Sequence, residues 1–200
     1  MTLSAQPALA LLEFDSIAIG VMAGDAMVKR APVAVACAGT VHPGHYLVLV
    51  AGDVACVDEA YHAGLDAGAA ALIDEVFLPA VHPDVVRALV GGHGRASGEA
   101  LGLIETRTVA ATIGAADRGL KGAQITLVEI RLADNLGGKG YCVVSGPLAE
   151  VEAAVELAAV ELEARDALIA RVVIPQFHDE MLANVESSPE FWTRIRQEGA

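Results

Sequence analysis

The residues best suited to chemistry lie in one short run. Thr40–Tyr46 reads TVHPGHY, with His42 and His45 on either side of Pro43-Gly44. Pro-Gly is a strong turn signal. Imidazole changes charge near neutral pH and ligates zinc, copper, nickel and iron. Two imidazoles beside a turn could hold a metal ion or simply take up charge as pH falls. The rest of the chain offers no competing catalytic set: no nucleophile elbow, no HExxH, no zinc-ribbon cysteine pairs and no GxxxxGK[ST] phosphate loop. Glu13 and Glu105 each end an apolar strand, where a carboxylate is more often structural. His82 and His178 sit in matching contexts, LPAVH and IPQFH, which points to a shared structural role. His62 reads as a surface residue and His93 as part of a linker. Cys37, Cys56 and Cys142 are odd in number and far apart. They form no disulfide framework and read as small buried hydrophobes in a reducing compartment.

These residues need elements to position them. Leu9–Glu13 reads as a short strand, and Ser16 can cap the helix Ile17–Arg30. Asp25 and Lys29 are four apart on that helix, acid before base, and Pro32 disfavours helix at Ala31. Val33–Val41 and His45–Val50 read as strands joined by the His42–His45 loop. Asp53 can cap a helix Val54–Ala70, followed by a strand Ala71–Leu78 and a helix Val81–Val90. Gly91–Gly98 is a polar, glycine-dense linker. The same order then returns: strand, helix, strand, loop Asp134–Gly140, strand, helix Leu148–Glu163 and strand Leu168–Ile174. Val151, Val155 and Leu162 give that last helix an apolar face. Ser188-Pro189-Glu190 reads as a further helix start, with Trp192 as an anchor.

The return is a duplication. Offset by 92 residues and without a gap, Leu9 meets Leu101, Glu13 meets Glu105, Asp25 meets Asp117 and Lys29 meets Lys121. After a two-residue insertion, Pro43-Gly44-His45 meets Gly137-Gly138-Lys139, and Gly52 meets Gly146. Two copies are too few for a solenoid. The expected organisation is a first α/β domain at 8–90, a linker at 91–99, a second domain at 100–182 and a C-terminal extension at 183–200. Each domain is an antiparallel-rich sheet carrying helices.

Composition narrows the function classes. A net charge of −13 argues against nucleic-acid binding. Ala31–Gly52 lacks Asp, Glu, Lys and Arg and is long enough to span a bilayer, yet Pro32, Gly39, Pro43 and Gly44 break it. No membrane segment is expected. The N-terminus has no basic n-region, so no signal peptide is expected either.

Ala100–Leu127 carries a resemblance to a known family. It joins a short strand, Glu105-Thr106-Arg107, an Ala-rich helix with Ala115-Ala116-Asp117 and a late Lys121, and then an apolar strand. This resembles the bacterial microcompartment (BMC) shell domain. Two such domains in one chain resemble the tandem, trimer-forming shell proteins. TVHPGHYLVLVAGDV and NLGGKGYCVVSGPLAEV look most like the propanediol-utilisation type, whose pore carries an iron–sulfur cluster. The resemblance spans residues 8–182.

The resemblance implies a structural, non-enzymatic shell protein of the cytoplasmic microcompartment. Three chains would form a homotrimer with six domains around a central pore, a pseudo-hexamer that tiles into a facet. Its partners would be other shell proteins, hexamers and pentamers, and encapsulated enzymes. The pore would be lined by His42, Pro43, Gly44, His45, Leu136, Gly137, Gly138 and Lys139, a composition suited to polar or anionic metabolites. Lys29 and Lys121 would lie at the lattice edge. The iron–sulfur type has a cysteine immediately before its Pro-Gly, where this chain has His42. This argues against a cluster, because thiolates are its usual ligands. No cofactor is then expected, with a metal ion held by three His42 side chains on the three-fold axis as the alternative. Asp134 is the nearest carboxylate to partner that histidine. Two further function classes stay open: a metal- or redox-centre pore that conducts electrons, and a small-molecule enzyme or metabolite-sensing trimer.

Overall fold

Seven consecutive residues with no exposed position form the first strand, β1 (Ala8–Phe14). It is buried on both faces because it lies inside its sheet with structure above and below. The computed structural model describes residue 3 and residues 6–187. After β1 come α1 (Ile17–Arg30), β2 (Val35–Val41), β3 (His45–Gly52), α2 (Val54–Gly68), β4 (Leu72–Leu78) and α3 (Pro83–Leu89). The second repeat runs β5 (Ala100–Thr106), α4 (Val109–Gly122), β6 (Thr126–Leu132), β7 (Gly140–Gly146), α5 (Leu148–Ala164), β8 (Leu168–Ile174) and α6 (Asp179–Ser187).

Each repeat makes a four-stranded antiparallel sheet, ordered β2-β3-β1-β4 and β6-β7-β5-β8. The registers repeat as well. Leu11 pairs with Val76 in the first sheet and Leu103 with Val172 in the second. Both central strands shift register at the same place, Glu13/Phe14 and Glu105/Thr106. The first helices are capped alike. Ser16 accepts from the Ile19 N–H, and Thr108 accepts from the Ala111 N–H. Asp53 caps α2 through the Ala55 N–H.

Period-2 alternation on β1 divides its side chains between two cores. Ala8, Ala10, Leu12 and Phe14 pack with Ala23 and Met27 of α1 and Val57 and Ala60 of α2. Small residues let the helices approach, and a side chain at Gly64 or Gly68 would collide with Leu12, Met27 or Phe14. Leu9 and Leu11, on the other face, join Val76 in a core with Val109, Ile113 and Ala116 of α4. The outer face of the first sheet is therefore closed by the second repeat of the same chain.

The structure refines several sequence expectations. A single 3-10 turn, Ala69–Ala71, separates α2 from β4, so β4 begins at Leu72. After β8 the chain forms α6, whose Leu182 and Val185 pack on Leu101, Val128 and Val143. His82 and His178 do share a role. Each Nδ1 accepts the N–H two residues on, from Asp84 and Glu180. Cys142 is buried and its thiol is pushed up to about 12 by desolvation, but Cys37 is exposed. Cys37 sits on β2, an edge strand of the first sheet. The expected helix start at Ser188 and its Trp192 lie outside the described residues. Among the described residues, no helix is long and apolar enough to cross a membrane.

Candidate functional site

The loops expected to carry the site come together although they are a full repeat apart. His42, Pro43 and Gly44 form the exposed turn between β2 and β3, closed by the Gly44 N–H donating to the Val41 carbonyl at 2.9 Å. Gly44 has φ of +124°, a conformation that glycine adopts without steric cost. The 133–139 loop between β6 and β7 is knitted by its own backbone. Ala133 donates to the Lys139 carbonyl at 2.9 Å, and Leu136 donates to the Ala133 carbonyl at 3.0 Å. Gly137 and Gly138 also have positive φ. Gly138 is buried against Pro43 and His45, and a Cβ there would fall 2.9 Å from Pro43 Cδ. Leu136 is half-buried, while Gly137 and Lys139 are exposed.

Carboxylates hold both loops. Asp134 Oδ1 accepts from the His42 N–H at 3.3 Å and lies 3.5 Å from His42 Nδ1. Glu13 is fully buried on β1; its Oε1 accepts from His45 Nδ1 at 2.9 Å, and its Oε2 accepts from the Val109 N–H at 2.9 Å. Val109 opens α4, so Glu13 sits where unpaired helix N–H groups favour a negative charge. Its repeat partner Glu105 instead pairs with Lys139 at 3.1 Å, with both groups well exposed, a geometry worth little in stability. Glu13 therefore ties the first sheet, the His45 loop and the second repeat together. The repeat alignment contained this signal, since Glu13 falls on Glu105 and His45 on Lys139, but alignment cannot say that the acid and base of each pair touch.

Burial raises the Glu13 carboxyl above its ordinary value of 4.5, against the opposing pull of the His45 and Val109 hydrogen bonds. A raised folded-state value means that the folded chain binds the proton more tightly. Its contribution to stability is then present below pH 4.5 and lost as pH rises through the raised value. Glu13→Gln keeps hydrogen-bonding atoms at both positions and cannot ionise. The difference in chemical-denaturation stability between wild type and Glu13→Gln is expected to shift in the variant's favour as pH rises from 4.5, then to level off. A difference that stays flat with pH would show that Glu13 titrates normally.

Lys29 and Lys121 stand apart from the loops, in the last turns of α1 and α4. Each binds the aspartate four residues earlier at 2.5 Å, Asp25 and Asp117. Asp117 is buried because it also accepts from the His82 N–H at 2.7 Å, whereas Asp25 is exposed. Among the described residues, no group of three or more His, Cys, Asp or Glu within one chain could hold a metal ion.

The BMC domain family matches the chain twice, over residues 8–81 and 100–177. This chain belongs to the bacterial microcompartment shell-domain family. The shell protein is 39% identical over 174 residues to the bacterial microcompartment shell protein PduT of Citrobacter freundii, covering 87% of this chain and 95% of that one. A crystal structure of a microcompartment protein from Desulfitobacterium hafniense superposes with a TM-score of 0.75 at 40% identity, covering 88% and 98% of the two chains. The fused permuted hexameric shell protein of the RMM microcompartment, at 22% identity and a TM-score of 0.56, shares the fold over 78% of this chain and 81% of its own. The two-domain architecture and the shell role expected from the sequence both stand.

Proposed function

We propose that this shell protein closes into a homotrimer whose six domains surround a central pore, and that it tiles with other shell proteins into a facet as a structural, non-catalytic component. One observation carries the trimer: the chain contains one copy of a packed interface and leaves both halves of a second copy bare. Within the chain, β4 lies on α4. Val109 and Ile113 of α4 are each 0% exposed and Val76 of β4 is 8% exposed. Their repeat partners are Ile17 and Val21 of α1, 46% and 51% exposed, and Val172 of β8, 49% exposed. An α1 surface and a β8 surface, related by the repeat to the packed α4 and β4 surfaces, thus remain bare. Fully burying a Val or Ile side chain contributes about 1.5–3 kcal/mol, so several such residues favour closure. A head-to-tail contact generates a ring when its rotation closes, and two domains per chain make three chains the six-fold equivalent. Native mass spectrometry is expected to give a trimer. A stable monomer or a hexamer of chains would refute it.

In such a ring the 42–45 and 136–139 loops alternate around the axis. Lys139 alone would favour anions, but Glu105 offsets Lys139 and Glu13 offsets His45. The reading that fits these pairs is a pore for small polar metabolites. A second reading has a specific observation behind it. Asp134 beside His42 Nδ1 supplies the carboxylate partner that commonly orients a metal-bound imidazole, leaving Nε2 for an ion shared by three chains.

A further inference from the structure

Where β4 lies on α4, the two repeats do not close completely. A cleft of about 650 Å³ remains between β4 on one side and α4 and α5 on the other, and neither the 42–45 nor the 136–139 loop lines it. Small-molecule sites are commonly clefts of about 300–1,000 Å³. Val76 and Leu157 give this one apolar lining, and Gly114 of α4 leaves it room. Two guanidinium groups converge on it. Arg165, at the end of α5, is fixed by Asp74, a buried carboxylate that accepts from it and from the Thr108 hydroxyl. The Glu75 carbonyl accepts from Arg165 as well, at 3.3 Å. Arg118 of α4 pairs with Glu161, which also lies 3.7 Å from Arg165. Glu161 thus gathers both guanidinium groups at one point. The lining charges balance, with Arg118, Lys121 and Arg165 against Glu75, Asp117 and Glu161. The hydrogen-bonding groups do not. Asp117 already accepts from Lys121 and the His82 N–H, and Glu75 from the Tyr61 hydroxyl at 2.6 Å. Each guanidinium carries five N–H groups, so the surplus in the cleft is of donors.

We infer that this cleft binds a phosphate-bearing small molecule, with the phosphate between Arg118 and Arg165 and the organic part against Val76 and Leu157. The site is built from one chain and needs no neighbour. The fold itself does not require its charges. The first repeat has Ala26 where the second has Arg118, Ala67 where it has Glu161 and Met22 where it has Gly114, and its helices form all the same. The repeat partner of Asp74 is likewise an alanine, Ala170. The donor set selects phosphate over carboxylate. Glu161 already places a carboxylate on Arg118 and beside Arg165, so a ligand carboxylate would exchange one such pair for another. A phosphate monoester carries about −1.5 to −2 charge near pH 7 and three strong acceptor oxygens. Guanidinium forks match it bidentately, and it can take N–H groups from both arginines at once. Asp74 acts as a positioning residue, since it holds Arg165 in place from the buried side.

The test is isothermal titration calorimetry of the full chain with inorganic phosphate at neutral pH. Ionic strength is held constant so that screening does not change. Wild type is expected to bind one phosphate per chain, saturably. Arg118→Ala should weaken binding by roughly 10–100-fold, the effect of losing a hydrogen bond from a charged donor. Gly114→Met leaves every charge in place and fills the cleft, so it should abolish binding. Both variants take the residue that the first repeat carries at that helix position, and circular dichroism checks that each is folded. Acetate, titrated in parallel, should bind at least about tenfold more weakly than phosphate, because it only replaces Glu161. Absence of saturable phosphate binding in wild type, or binding that survives unchanged in either folded variant, overturns the site. Acetate binding as tightly as phosphate overturns the choice of ligand.

Discussion

Changing Lys29 and Lys121 together to Ala is expected to leave trimers intact and to abolish extended two-dimensional sheets. The proposal places both lysines at the rim, where one ring would meet the next. They occupy the same position in each repeat, the last turn of α1 and of α4, so the proposed ring of three chains would present six of them. A lysine suits such an edge because a long apolar stem carries three rotatable donors. Within one chain Lys29 contributes little, and without Lys121 the buried Asp117 keeps the His82 N–H as a partner. The Lys29–Asp25 pair is largely exposed, and exposed pairs typically contribute about 0.2–1 kcal/mol. Fold and trimer should survive the change while lateral contacts, repeated across a lattice, are lost. The measurements are native mass spectrometry for the trimer and electron microscopy of sheets. Sheets that persist unchanged in the double variant would assign both lysines to helix-end stabilisation alone, through the helix dipole and their aspartates.

The second large effect concerns His42. If three imidazoles converge on the axis, the purified trimer binds one divalent metal per three chains, and His42→Ala binds none. Three neutral histidines with an open position form a known zinc arrangement with Zn–N near ~2.0–2.1 Å. Such a site loads poorly in acid because the ligands must be deprotonated. Asp134→Asn removes the carboxylate beside Nδ1 and is expected to weaken metal affinity by roughly 10–100-fold, the range for lost outer-shell partners. The measurement is metal content after reconstitution with zinc and dialysis, for wild type and both variants. No bound metal in the wild type would leave His42 as an open-pore residue, with Asp134 simply fixing the turn through the His42 N–H.

The duplication was legible in residue order, and with it the two-domain plan. Gap-free equivalence of Leu9 with Leu101 and Asp25 with Asp117 implied two similar domains, and the structure gives the same strand order and register in both. Caps at Ser16 and Asp53 and the break before Pro32 were legible because they depend on neighbours within one helical turn. The family features were legible for the same reason, as short motifs that occur twice. The differences between the two copies come from packing instead. Ile17 and Val109 are near-equivalent residues in near-equivalent helices, yet one is exposed and the other fully buried. No local pattern separates them, because the difference is whether β4 of the same chain lies on top. Glu13 and Glu105 likewise occupy one position in two copies. Glu13 is sealed beneath α4 and bound to the Val109 N–H, and burial raises its carboxyl. Asp134 reaches His42 across 92 residues of chain, a contact that exists only because the second domain packs against the face of the first. Burial, partner choice and carboxyl acidity are set by packing between repeats, and packing of that range leaves no trace in local sequence order.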